Sequence, residues 1–80
     1  MKFELDTTVN ALYLTLLEGK VARSVEVEEG VYMDVDKDGR VLGLEFIDAS
    51  GFIDLLTRHG GQLSIPERVN DAGAPLLASA

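Results

Sequence analysis

The string Asp34-Val35-Asp36-Lys37-Asp38-Gly39, followed by Glu45, fits D-x-[DN]-x-[DN]-G-x5-E, the spacing of an EF-hand calcium loop. The chemistry of that spacing is sound, because calcium wants six or more oxygens and a glycine permits the sharp turn between them. Such a loop works between two helices. Here the flanks V-Y-M-D-V-D and R-V-L-G-L-E-F alternate with period two, which predicts strands. The residues are therefore read as a β-turn with solvated carboxylates, and Asp34, Asp36 and Glu45 are expected to stay accessible. The alternative is a metal-dependent or carboxylate enzyme, which would need Asp34, Asp36, Asp38 and Glu45 to converge in one concave pocket.

The other reactive side chains have simpler readings. His59, the one histidine, could act as a general base with a partner such as Asp54. Its place in the last turn of a helix explains it better, since the negative end of the helix dipole favours it. Ser50 precedes a helix and Ser64 precedes Ile-Pro, but neither sits in a G-x-S-x-G elbow, and no second histidine completes a triad. Ser50 is read as a cap. Glu26, Glu28 and Glu29 fall on an alternating exposed face and a turn, where solvated surface is the natural reading. Gly39 and Gly43 make no phosphate loop, because no helix N-terminus follows them. No catalytic, cofactor-binding or metal residue is assigned, no cofactor is expected, and the balance leans away from an enzyme.

The elements that position these groups follow from periodicity. Met1 to Asp6, Ala11 to Leu17, Val21 to Glu28, Val31 to Asp36 and Arg40 to Ile47 alternate as strands, separated by Asp6-Thr7-Thr8 with Asn10, by Gly19-Lys20, by Gly30 and by Lys37-Asp38-Gly39. After Ile47 the period changes. Phe52, Ile53, Leu55, Leu56 and His59 lie at helical spacings, with Gly60-Gly61 as the stop, so a helix of about ten residues is predicted. Gln62 to Ile65 reads as a short strand or connector, and Pro66 is placed to open a helical turn over Glu67, Arg68 and Val69. The expected fold is α+β: an antiparallel β-meander of about five strands with one C-terminal amphipathic helix packed on the sheet. One domain is expected over residues 1–70, with a flexible tail over 71–80 that includes Leu76 and Leu77.

The last hairpin allows a register argument, since a one-residue slip exchanges the two faces of a strand. A two-residue type I′ turn at Asp38-Gly39 sets Val35 opposite Leu42, Met33 opposite Leu44 and Val31 opposite Phe46, all on one face. A three-residue loop of Lys37-Asp38-Gly39 would instead set Asp34 opposite Leu42. The two-residue turn is therefore predicted.

Composition bounds the partners. The chain of 80 residues is 46% hydrophobic and 26% charged, a globular balance. Its seven basic and fourteen acidic side chains give a net charge of −7, and Lys2, Lys20, Arg23, Lys37, Arg40, Arg58 and Arg68 are scattered along it. Phosphate backbones and anionic lipid surfaces would be repelled, so neither nucleic acid nor membrane is an expected partner. There is no cysteine, which removes disulfides and thiolate chemistry. M-K-F-E-L-D lacks the apolar region of a signal peptide, and no apolar run reaches the ~20 residues of a membrane span, so a cytoplasmic address is expected. A chain this short hides only roughly 60% of its unfolded surface. Self-association or a small protein partner is expected for that reason, with Tyr13, Leu17 and Tyr32 as exposed contacts.

The stretches F-E-L-D-T-T-V-N-A-L-Y-L-T-L and R-S-V-E-V-E-E-G-V-Y-M-D-V-D-K-D-G-R-V-L-G-L-E-F-I-D-A-S, within residues 3–50, resemble the family catalogued as domain of unknown function 2283. The parts that carry the resemblance are the A-L-Y-L strand, the G-V-Y-M-D-V-D-x-D-G-R-V-L-G-L-E hairpin and the apolar-Asp-Ala-Ser tail. The resemblance implies a small prokaryotic protein and transfers no catalytic or binding residue. Many relatives carry Asp where this chain has Asn10. Members look like occasional neighbours of toxin-type proteins, which implies an antitoxin-like role.

Overall fold

A computed structural model describes residues 1–69. Five strands, β1 (Lys2–Asp6), β2 (Ala11–Thr15), β3 (Arg23–Glu28), β4 (Val31–Val35) and β5 (Val41–Phe46), precede one helix, α1 (Ser50–Arg58). All strand pairs are antiparallel, in one sheet, so the α+β class is as the periodicity predicts. The order is β1-β2-β5-β4-β3 rather than that of a sequential meander. The connection over residues 16–22 carries the chain past two positions, giving β2 to β5 a Greek-key order. Burial explains the departure. β5 is buried at five of its six positions and needs a neighbour on each side, while the charged β3 is suited to an edge.

One face of the sheet carries the core. Leu14, Val31, Met33, Val35, Val41, Leu44 and Phe46 pack there with Leu55 from α1 and with Val69. Phe52 meets Phe46 edge-on at 5.2 Å between ring centroids and Phe3 at 5.7 Å, so the helix reaches from the centre of the sheet to β1. Ser50 is the first helical residue and not the cap. Ala49 occupies the cap position without a side-chain bond, and the Asp48 carboxylate accepts from the Ser50 N–H at 3.0 Å and the Ser50 hydroxyl at 2.9 Å. At the other end Gly61 donates to the Leu56 carbonyl and Gly60 to that of Thr57, a Schellman stop that uses the left-handed φ of both glycines.

The β4–β5 hairpin keeps Val31, Met33, Val35, Leu44 and Phe46 on the core face as predicted, but not Leu42, and it reaches that arrangement differently. Val31 pairs with Phe46 and Met33 with Leu44, while Val35 pairs with Val41 and not with Leu42. The Gly39 N–H donates to the Asp36 carbonyl and the Asp36 N–H to that of Arg40, so the loop is the three residues Lys37, Asp38 and Gly39, with positive φ at Gly39 alone. A bulge beyond Val41 then restores the register. Leu42 is the residue displaced. It is buried outside the core cluster, against Gly19, and its carbonyl accepts from both Leu16 and Leu17.

No helical turn follows Pro66. Residues 67–69 run extended beside the start of β5, with Val41 donating to the Glu67 carbonyl, Val69 to that of Gly39, and Arg68 bridged to Arg40. Leu63, Ile65 and Val69 thereby close the end of the core. The tail expected over 71–80 lies outside the described residues.

Candidate functional site

The four carboxylates of the calcium-loop pattern do not come together. Asp36 is buried, contrary to the accessible position expected of it, because its carboxylate organises the turn. One oxygen accepts from the Asp38 and Arg40 N–H groups, each at 2.9 Å, and the other from Arg40 Nε at 2.7 Å. Burial pushes its pKa up, but the bonds from Arg40 and Asp38 outweigh this and hold it below the ordinary carboxylate range. Asp38 stands at the exposed tip, and its carbonyl accepts from Arg68. Asp34 and Glu45 lie on the opposite side of the sheet from the core. Among the described residues no group of three or more His, Cys, Asp or Glu is placed to hold a metal ion.

That second face has its own order. Lys2, Thr15, Gly43, Asp34 and Ser24 form one row across the five strands, and Glu4, Tyr13, Glu45, Tyr32 and Glu26 form the next. The Tyr13 ring crosses Gly43 so that its hydroxyl donates to Asp34 at 2.8 Å, while Ser24 donates to the other Asp34 oxygen. A Cβ at Gly43 would stand 2.6 Å from the Leu14 carbonyl oxygen and 2.6 Å from the Tyr13 hydroxyl oxygen, so a side chain here would meet backbone as well as the ring. Burial, then the bond to Asp34 and the surrounding carboxylates, pushes the Tyr13 phenol well above its ordinary range. The Glu26 charge, first among several causes, raises the pKa of Tyr32. The two tyrosines thus flank Glu45. Leu17 is elsewhere, lining a cleft of about 390 Å³ with Leu16, Val41, Ile65 and Pro66.

Other predicted positions act as ties. Glu28 places one oxygen 3.0 Å from the Arg58 guanidinium and the other 3.8 Å from His59 Nε2, fixing the end of α1 to β3. Asp48 also accepts from the Asn10 amide at 3.1 Å, and the Ala49 N–H donates to the Asn10 carbonyl, joining the β1–β2 loop to the start of α1. Bonds from Ser50, then Asn10, hold the Asp48 carboxyl below its ordinary range despite the opposing effect of burial. Ser64 is exposed. The cations that look scattered in sequence are partly gathered by the fold: Lys20, Lys37 and Arg40 share a cleft of about 530 Å³, interleaved with Asp36 and Asp38.

The surface with the least internal employment is β1. Among the described residues it pairs only with β2, all five of its residues are exposed, and Phe3 and Leu5 are each 52% exposed on the side that continues the core face. The opposite edge, β3, is bulged between Glu26 and Glu28, whereas β1 has unbroken register. Alternation puts Phe3 and Leu5 on one face of the first strand and says no more. Strand order, which alternation does not report, is what leaves them at an edge.

A five-stranded antiparallel sheet covered on one face by a single helix defines an α+β protein with an open second face. Residues 2–50 match the family described as protein of unknown function (DUF2283), and the chain belongs to that family. The match takes in all five strands and ends at the first residue of α1. No curated protein and no solved structure matches the chain.

Proposed function

We propose that the protein is a non-enzymatic interaction module of the cytoplasm, working as a homodimer or as one half of a two-protein complex of the antitoxin type. The observation that carries this reading is β1, an unbulged strand at the edge of the sheet among the described residues, with the half-exposed apolar pair Phe3 and Leu5 on the helix side. Such an edge is a template for strand addition, in which main-chain bonds supply affinity and alternate side chains supply specificity. The polar groups of the second face support the same reading, because Tyr13, Asp34 and Ser24 bond to one another. The net charge of −7 disfavours nucleic acid. Among the described residues no helix is long and apolar enough to cross a membrane.

Light scattering at micromolar concentration tests the reading, together with recovery of the tagged protein from its native extract. The wild type is expected either to exceed the monomer mass of 8.7 kDa or to carry a stoichiometric partner, and Phe3→Asp to lose the association. A wild type that is monomeric and recovers no partner overturns it.

A further inference from the structure

We propose that the occupant of the β1 edge is the β1 strand of a second copy, paired antiparallel about a two-fold axis through Phe3. This rests on the interaction-module reading and names its partner.

The argument is one of register. Two antiparallel strands keep their faces matched only when residues of like parity stand opposite, so Phe3 must meet an apolar residue and Lys2 a charged one. Few two-fold registers satisfy this on K-F-E-L-D. Centring on Lys2 sets two lysines together, and centring on Glu4, although it sets Lys2 against the partner's Asp6 and Phe3 against the partner's Leu5, sets two glutamates together at the axis. Centring on Leu5 sets Glu4 against the partner's Asp6 twice, and centring on Asp6 sets two aspartates together. Like charges directly opposite destabilise a strand pair. Centring on Phe3 alone sets no like charges opposite one another: Lys2 meets the partner's Glu4 and Glu4 the partner's Lys2, while Asp6 falls beyond the paired residues. Lys2 and Glu4 already stand on one face of the strand, 3.6 Å apart, so the four groups would alternate in sign around a square.

The other side of the strand agrees. In the same register Phe3 meets the partner's Phe3 and, with the alternation extended by one residue, Met1 meets the partner's Leu5, so three half-exposed or exposed apolar residues per copy are covered. Each Phe3 ring already leans edge-on against Phe52. A two-fold axis perpendicular to the sheet keeps both helices on the same face, so the four rings form one row. The interface is self-complementary and closed, with ten strands in one sheet and β3 at both ends. β3 suits that end position, because its bulge and charges discourage further growth.

The chain lacks cysteine, so single cysteines report the axis directly. Directly opposed residues have Cα atoms about 4.5–5.5 Å apart, within disulfide range. Under mild oxidation Phe3→Cys is expected to give a covalent dimer and Glu4→Cys none. In light scattering Lys2→Glu is expected to weaken dimerisation roughly tenfold, and Lys2→Glu combined with Glu4→Lys to restore it to within about twofold, since two cross-strand pairs change sign together. Circular dichroism of each variant confirms that these exposed substitutions leave the fold intact. Cross-linking at Glu4→Cys, or no rescue in the double variant, overturns the register. A wild-type dimer that cross-links at neither position overturns the β1 interface while the interaction reading stands, as does a monomer that captures an unlike partner. A monomer with no partner overturns both.

Discussion

Asp36 shows how one carboxylate is converted from a candidate ligand into a structural group. Its two oxygens accept three bonds from Asp38 and Arg40, and this is what lets a charged side chain sit almost wholly out of water. Because those bonds favour the ionised form, the folded pKa lies below the ordinary carboxylate value, and the stabilisation is present above that value and lost as pH falls through the folded pKa. Asp36→Asn is therefore expected to lower the melting temperature at pH about 7, and the gap between variant and wild type to close as the pH falls below the ordinary range of about 3.9. Parallel thermal melts across that interval measure it, and a gap independent of pH would mean the charge plays no part. Tyr13 has the opposite sign. Its phenol is held neutral, so its contribution is present below the ordinary tyrosine range and fades as pH rises beyond it.

The hairpin from β4 to β5 separates what alternation reveals from what it conceals. Val31, Met33, Leu44 and Phe46 are assigned to the core by parity alone, and the structure pairs them as predicted. The turn is misread because a three-residue loop followed by a one-residue bulge restores the register of a two-residue loop. Face parity cannot distinguish the two routes. The conformational price falls on Gly39, whose φ is +81° and whose added Cβ would stand 2.5 Å from the Val69 carbonyl oxygen. Gly39→Ala is expected to destabilise by about 1 kcal/mol or more, measured by denaturant unfolding, since the strain of φ > 0 and the contact with Val69 act together. Gly30, with φ +77° and open space around it, provides the control for strain without the contact. The Tyr13–Asp34 bond was not legible for a different reason. It joins strands β2 and β4 across β5, so it depends on strand order, and the one local clue was a glycine inside a strand at Gly43.

At the scale of the whole molecule, stability and association are coupled through a small core. Typical domains are stable by only about 5–15 kcal/mol, and a chain of this length buries less of its surface than larger ones do. Leu44 sits where that core is least able to yield. It is fully buried on the central strand, with Leu14 opposite on β2 and Met33 opposite on β4, both themselves buried. Strands on both flanks prevent collapse around a smaller side chain, so Leu44→Ala is expected to cost roughly 2–4 kcal/mol, transfer and cavity terms together. If the β1 edges pair, the midpoint of unfolding also rises with protein concentration, because association draws on the folded state alone. Denaturant titrations of wild type and Leu44→Ala at two concentrations a hundredfold apart separate these effects. The substitution shifts both midpoints downward by the same free energy, while concentration moves each protein upward. A loss below about 0.5 kcal/mol, the scale of surface substitutions, would show that Leu44 is not in the core and that the pairing of β5 with β2 and β4 is wrong.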